Sequence, residues 1–361
     1  MKNKNILELC LADGLGGLEM FVASCYEDFS TKGICKVAVT PNSKLDNYLD
    51  IADKFHLKRN KFFPFVPAIK LAKYIDENDI DIIHFHWTRD MITAVLAKVL
   101  SHKKPKLVQS RHMRMTRFKD DLYHKWLYKN IDTIHAVTNE VKLQLEKFIP
   151  ADIRPRLEMI YLGTKVMKID EEKIKLLKAQ CALKEKFVIG IVGRIEDEKG
   201  QYKVIEAVKI LQDLDIKALI VGSAMSDVYF EKLHQKVEEL GIEEKIVFVG
   251  FTKDVGEYMQ LFDVNVLATT NETFGLVVIE AMLNKIPVIA TNKGGPLEII
   301  DDGVDGLLFD GRSEDLANKI KLLYQNNELK KQLTLNGYLK VTEKFNYINQ
   351  MEKLYEVINE S

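Results

Sequence analysis

Short apolar runs alternate along most of the chain with longer segments in which apolar residues recur every three or four positions. A short apolar run bounded by polar or glycine residues reads as a buried strand, and a 3.6-residue period as an amphipathic helix. Their regular alternation is the mark of βαβ units around parallel sheets. In the first half, strands are expected at 6–11, 36–40, 81–85, 106–109, 133–137 and 157–160, with helices at 18–30, 67–77, 88–100 and 123–129. After Gly163 a Lys- and Glu-rich helical pattern runs to Leu183. The alternation restarts with strands at 187–192, 218–221, 246–249, 263–267, 287–290 and 307–309, and helices at 204–211, 228–240, 276–283 and 316–324. A last helix is expected at 348–358. No segment repeats, so the pattern predicts two consecutive open α/β sheets. In such sheets ligands bind beyond the carboxyl ends of strands, which makes the cleft between the two the expected site.

A chain of 361 residues suits two domains. Its four cysteines, at 10, 25, 35 and 181, contain no Cys-x-x-Cys pair, which excludes zinc ribbons and thioredoxin-type sites and suits free thiols in a reducing compartment. The longest apolar run, FVIGIVG at 187–193, is far short of a membrane span. Glu8 and Asp13 interrupt the apolar start, so no export signal is expected and the protein is read as cytoplasmic. The net charge of −1 conceals an asymmetry: residues 1–165 hold 27 Lys and Arg against 20 Asp and Glu, the remainder 25 against 33. Two halves of opposite sign imply two domains with different partners, the basic one facing something anionic.

Several short patterns invite chemistry. Asp13-Gly14-Leu15-Gly16-Gly17 follows the first strand and opens a helix, where backbone amides can approach a phosphate; a tight turn is the alternative reading. It is not a dinucleotide fingerprint, because Glu19 stands where the third glycine belongs. Asp79-Ile80-Asp81 lies at the wrong end of its strand for a metal and reads as solvated loop. His84 and His86 share one strand face and lack a third ligand in the sequence, so hydrogen-bonded histidines are preferred to a metal pair. Asp301-Asp302-Gly303-Val304-Asp305-Gly306 has Gly303 and Arg312 where a calcium loop needs ligands. Arg194 and Lys199 flank a loop at a strand's carboxyl end with a helix behind, a reasonable diphosphate clamp. Glu272 sits in another such loop, and Glu280 on an otherwise apolar helix, where a carboxylate is costly unless satisfied. Such carboxylates suit vicinal hydroxyls, with amides at 274–276 offering donors.

GRIEDEKG at 193–200, ETFGLVVIE at 272–280, PVIA at 287–290 and GGPLEII with DGVDGLLF at 294–309 resemble retaining glycosyltransferase family 4, specifically over 187–325. GLGG at 14–17, DIIHFH at 81–86 and Ser110-Arg111-His112 extend the resemblance more loosely into the first half. It implies a GT-B fold of two Rossmann-like α/β domains. These are an acceptor domain at 1–165 completed by a terminal helix at 345–361, and a sugar-nucleotide domain at 166–344. It implies that Arg194 and Lys199 hold the donor diphosphate, that Glu280 binds ribose and that Glu272 binds the transferred sugar. The amides of Phe274, Gly275 and Leu276 would line the pocket, Gly17 would complete the phosphate site, and Val249, Gly250 and Phe251 would lie against the base. His112 matches the family's histidine near the reacting carbon. Gly163-Thr164-Lys165 stands where the family has Gly-Val-Asp, and Arg111 beside His112 is not general there.

The function so implied is retaining transfer of a sugar from a UDP- or GDP-sugar donor to a saccharide or lipid-linked acceptor in cell-envelope polysaccharide or lipopolysaccharide synthesis. No metal cofactor and no nucleic acid are expected. Cations and a helix dipole would stabilise the leaving diphosphate, whose oxygen takes the acceptor's proton during same-face attack. A sugar-nucleotide 2-epimerase and a non-catalytic partner subunit of the same fold are the rival readings. Nine Lys and Arg between 100 and 130, among them Arg111, Arg114, Arg117 and Lys119, suggest an acceptor surface or an anionic membrane face. Phe62-Phe63-Pro64-Phe65 is expected to pack into the core, with bilayer insertion as the alternative.

Overall fold

The structure is a computed structural model that describes residues 4–60 and 62–360. The chain divides into two compact units, residues 1–162 with 348–361, and residues 163–347.

The first unit is built on seven parallel strands: β1 (Ile6–Cys10), β2 (Cys35–Val39), β3 (Lys54–His56), β4 (Ile82–Phe85), β5 (Lys106–Arg111), β6 (Thr133–Ala136) and β7 (Arg156–Met159). Their spatial order is β3-β2-β1-β4-β5-β6-β7. Strand order therefore reverses between β1 and β4, which pair directly, and a reversal opens a crevice at the carboxyl ends. Both strands are buried throughout, as strands covered by helices on two faces must be. Leu7, Leu9, Ile83 and Phe85 pack in one cluster with Leu71, Ile75 and Ala94 from the flanking helices.

The second unit repeats the plan with β8 (Phe187–Val192), β9 (Ile216–Val221), β10 (Ile246–Gly250), β11 (Val264–Leu267), β12 (Val288–Thr291) and β13 (Leu307–Phe309). Its order, β10-β9-β8-β11-β12-β13, reverses between β8 and β11. Ile189, Ile191 and Val266 pack here with Val204, Val208 and Ile320. The final helix, Tyr347–Glu360, joins the first unit from Ile348 onward. Its Tyr355 ring lies 5.4 Å from Phe29, and the Lys4 amide donates to Asn359 Oδ1 at 3.3 Å. Ser361, included in the expected terminal helix, lies outside the described residues.

Where the chain passes between units, Gly163 runs against the backbone of Tyr347; a Cβ there would stand 2.6 Å from Tyr347 Cα. The short strand β3 and the helices Asn139–Phe148 and Asn327–Lys344 were not expected from the pattern. The last of these buries only Leu333, Gly337 and Val341. One of its three buried positions is a glycine, ordinarily a helix-weakening residue, so its apolar stripe is too thin to stand out.

Candidate active site

At the reversal of the second sheet, β8 is followed by Gly193, whose φ of +149° only glycine adopts readily. Arg194 follows, half exposed, its guanidinium 2.9 Å from Glu196 of the same loop, while its carbonyl accepts from Gln201 Nε2 at 2.8 Å. A turn of 3-10 helix, Asp197–Lys199, delivers Lys199, and Gly200 turns the chain into the helix Gln201–Ile210. Gly200 has φ +73°, and a Cβ on it would come within 2.3 Å of the Ala268 carbonyl oxygen. The Glu198 carbonyl accepts from both the Thr269 hydroxyl (2.9 Å) and the Thr270 amide (3.0 Å). The loop after β8 is thereby fastened to the loop after β11.

That second loop carries Glu272, and Lys199 Nζ lies 3.1 Å from its Oε2. Sequence separation between the two is 73 residues; only the reversal of strand order brings them together. Gly275, at φ +102°, caps the helix Leu276–Leu283 and leaves the first-turn amides without a side-chain cap. Those amides form a positive helix end facing the loop. Gly295 seals the back of the turn: a Cβ there would stand 2.3 Å from the Phe274 carbonyl oxygen.

Glu280 lies on that helix, partly buried, and its carboxyl group makes no hydrogen bond among the described residues. Burial alone pushes its pKa up to about 7. A carboxylate so placed is a ready acceptor for a ligand's hydroxyl donors. Val249 and Gly250 end β10, where Gly250 has φ +79° and its carbonyl accepts the Gly222 amide at 2.9 Å. Phe251 beyond it is 66% exposed, a bare aromatic face at the end of the same sheet.

In the first unit the glycine turn opens the helix Gly17–Ser30, with Gly17 its first residue. Glu19 folds back to accept the Gly16 amide at 2.8 Å. The residue that spoils the dinucleotide fingerprint is thus a helix cap. His112 follows β5, partly buried, with its Nε2 3.4 Å from His86 Nδ1. Burial above all, with the Arg111 guanidinium adding to it, holds the His112 imidazole well below its ordinary pKa.

Beneath His112 lies a fully buried polar chain that the sequence did not reveal. Glu8 on β1 sits beside its register partner His84 on β4. Glu8 Oε1 lies 2.9 Å from His84 Nδ1, and Oε2 lies 2.6 Å from His86 Nε2. His84 Nε2 is 2.7 Å from Ser110 Oγ, which is 2.8 Å from His135 Nδ1; His135 Nε2 donates to the Ile160 carbonyl at 2.7 Å. Glu8, Cys25, His84 and His86 could together be taken for metal ligands. The 2.6 and 2.9 Å separations are hydrogen bonds, however; ligands about 2.0 Å from a tetrahedral zinc stand roughly 3.3 Å apart. In the structure His84 and His86 are both hydrogen-bonded to Glu8, and Glu8 and Cys25 stand beside them where the sequence shows no third ligand. The usable signal was an acid inside the apolar strand ILELC together with His-x-His in the next core strand.

The basic surface needs correction. Arg111 is 6% exposed and donates to Thr88 Oγ1 and to the carbonyls of Met113 and Arg114, so it builds the loop that carries His112 and offers no surface charge. Arg114 is paired with Glu140. Lys119 is partly buried against His124, and burial together with Arg117 and Arg111 lowers its pKa. Arg117 is exposed. Phe62, Phe63 and Phe65, expected in the core, are 81%, 68% and 60% exposed. The helix Phe65–Glu77 buries Pro67, Ala68, Leu71, Ala72 and Ile75, which leaves Phe65, Val66 and Ile69 on its outer face.

Asp79 and Asp81 pair with Lys103, and Lys340 bridges Asp301 and Asp305, so neither acidic motif offers a vacant ligand set. A cavity of about 460 Å³ lined by Phe262, Pro287, Lys330 and Tyr338 lies at the amino ends of β11 and β12, the end of a parallel sheet opposite to the chemistry.

Two open parallel sheets, the second carrying a cation–carboxylate pair at its reversal and the chain ending back in the first unit, define a glycosyltransferase of GT-B fold. Residues 173–340 match the model of the glycosyl transferases group 1 and residues 15–166 that of Glycosyltransferase Family 4, and the chain belongs to this family. It is 26% identical over 299 residues to N-acetyl-alpha-D-glucosaminyl L-malate synthase of Bacillus anthracis, covering 80% of this chain and 77% of that one. It is 29% identical over 152 residues to the lipopolysaccharide core biosynthesis glycosyltransferase LpsE of Rhizobium meliloti, covering 42% and 43%. The crystal structure of Anabaena Alr3699/HepE in complex with UDP-glucose superposes with a TM-score of 0.88 at 21% identity, over 99% of this chain and 100% of that one, a likeness of fold. No helix among the described residues is long and apolar enough to cross a membrane.

Proposed function

We propose that the protein is a retaining glycosyltransferase that moves a sugar from a UDP- or GDP-sugar to a saccharide or lipid-linked acceptor of the cell envelope, without a metal ion. The observation that carries the reading is the meeting of Lys199 and Glu272 at the reversal of the second sheet, beside the helix end at Gly275. When a donor binds, its diphosphate replaces Glu272 as the partner of Lys199, and Arg194 turns from Glu196 to the same phosphates. Glu272 is then released to accept from the hydroxyls of the transferred sugar, and Glu280 accepts from the ribose. The amides of Phe274, Gly275 and Leu276 line the sugar and phosphate pocket, and Phe251 lies against the base with Val249 and Gly250.

Charge moves onto the diphosphate as the glycosidic bond breaks, and two cations with a helix dipole stabilise it there. The departing phosphate oxygen takes the proton of the acceptor hydroxyl attacking from the same face, so configuration is retained. His112 stands near the reacting carbon as a neutral imidazole. The Rhizobium relative, a lipopolysaccharide core biosynthesis glycosyltransferase, supports an envelope acceptor, and the exposed Phe62, Phe63, Phe65, Val66 and Ile69 support docking of the first unit on a membrane.

The test is incubation with radiolabelled UDP- and GDP-sugars, with and without a lipid extract, in the presence and absence of EDTA. Acceptor-dependent nucleotide release that survives EDTA supports the reading. A labelled sugar that stays on its nucleotide but changes configuration would revive the epimerase. Activity lost to EDTA and restored by manganese would refute metal independence.

A further inference from the structure

Five contacts link the Ile160 carbonyl, His135, Ser110, His84, Glu8 and His86, and each requires one proton. The carbonyl can only accept, so His135 carries a proton on Nε2. Three neutral imidazoles, a hydroxyl and a carboxylate together supply four protons, one too few for these five contacts. The chain must therefore hold one extra proton, which turns a carboxylate and an imidazole into a buried pair of zero net charge. Low dielectric favours that over a lone charge. Against the upward push of burial, His84 and His86 hold Glu8 below the usual carboxylate range. Burial and then the charge of His84 press His86 down to about 4, and burial presses His135 down to about 3. The Ser110 proton goes to His135, so His84 Nε2 must donate to Ser110, and the contact short of a proton is the one between His84 Nδ1 and Glu8; His86 needs only the proton that faces Glu8.

The consequence reaches His112. With its Nε2 proton donated to Glu8, His86 has a bare Nδ1, and that atom lies 3.4 Å from His112 Nε2. The contact can form only if His112 donates. We propose that Glu8 and His86 are positioning residues that act through His112, fixing its proton on Nε2 and leaving Nδ1 as the ring's acceptor. Phe21, from the helix that begins at Gly17, wedges both rings edge-on, at 5.8 Å from His86 and 5.1 Å from His112. A histidine presenting a lone pair can accept from a substrate hydroxyl and lies favourably beside developing positive charge; the other tautomer would present a proton there. This inference rests on the reading of His112 as the histidine beside the reacting carbon, but the tautomer itself does not.

The experiment uses the full chain with nitrogen-15 histidine, the His112 signals being those lost in His112→Ala. Long-range proton–nitrogen spectra of the wild type should show His86 and His112 as neutral rings protonated on Nε2. In His86→Phe, which keeps a ring of similar size, His112 should lose its single tautomer. The kcat for nucleotide release should fall on the order of 10- to 100-fold with donor KM nearly unchanged, the range found when an outer partner orienting a metal-bound histidine is removed. His86→Gln, whose amide can donate to Glu8 and accept from His112, should restore the tautomer and most of kcat. In a His112→Ala background, His86→Phe should cost nothing further in kcat. A wild-type His112 protonated on Nδ1 overturns the proposal, even if His86→Phe does not fold. So does a folded His86→Phe with unchanged tautomer and kcat. If no variant, wild type included, releases nucleotide, the proposed activity fails while the spectra still decide the tautomer.

Discussion

Lys199 and Glu272 form an ion pair at 3.1 Å between two loops that share no helix and no strand. Both side chains are mostly shielded, at 25% and 19% exposure. Under the proposed function, the pair keeps in register the cation that would meet a diphosphate and the acid that would meet a sugar.

If Lys199 stabilises the departing diphosphate, it matters most as negative charge grows. Donor binding in the ground state is shared with amides and ribose contacts, so Lys199→Ala should lower kcat more than donor affinity. Loss of one preorganised stabiliser costs about 3–4 kcal/mol, or roughly 10²–10³ in rate. The fold should hold, because a partly exposed pair contributes at most about 1 kcal/mol. Donor saturation curves and a thermal melt decide it. A folded Lys199→Ala with near wild-type turnover refutes the clamp.

Gly200→Ala should act on the same lysine from behind. Its φ of +73° and the 2.3 Å approach to the Ala268 carbonyl leave no room for a methyl group. Relief requires the loop after β8 to pull away from the loop after β11, parting Lys199 from Glu272. We expect a loss of about 2 kcal/mol or more in chemical denaturation, with kcat reduced although every charged group remains. Unchanged stability would show that the loop has a second conformation at no cost.

The second unit's candidate site could be proposed from the sequence because its residues are punctuated by glycines at strand ends. Gly193, Gly200 and Gly275 all take positive φ, and each stands beside a residue named from the sequence. Loop chemistry of this kind is written locally. The Glu8 chain was not legible, because its side chains come from β1, β4, β5, β6 and the residue after β4, and each alone reads as a stray polar residue in the core. Their association depends on register, Glu8 opposite His84 and Ser110 opposite His135, which no local pattern encodes. Arg111 misled for the opposite reason. A basic run predicts a charged surface only if the side chains reach it, and Arg111 turns inward to carbonyls of its own loop.

Membrane docking should depend on the outward aromatics more than on residues 100–130, where Arg111, Arg114 and Lys103 are already engaged within the protein. Phe63→Ser with Phe65→Ser should weaken sedimentation with anionic vesicles without lowering the melting temperature, since both rings are exposed. Neighbouring Lys58 and Lys70 are exposed as well, so binding should decline with salt, at about 1 kcal/mol per basic residue near the surface. Equal binding to neutral and anionic vesicles would defeat the electrostatic part of the account.

Glu280 should impose two pH dependences of opposite sign. Its carboxyl has an ordinary pKa of 4.5 and stands at about 7 in the folded protein because burial disfavours its charge. The native state therefore binds more protons than the unfolded chain between those values, and stability must fall as pH rises through them. Glu280→Gln removes the penalty. The variant should match the wild type near pH 4 and exceed it by about 1–3 kcal/mol at pH 8. Donor binding should run the other way. Ribose hydroxyls donate more strongly to a carboxylate than to a carboxylic acid, so wild-type affinity for a nucleotide sugar should tighten as pH rises through about 7. The diphosphate of such a donor has no ionisation in that window, which leaves the slope to the protein. Calorimetric titration at several pH values should show that slope in the wild type and its loss in Glu280→Gln, together with weaker binding at high pH. A wild-type affinity that is flat across the range would remove Glu280 from the ribose site, whatever the stability measurements show.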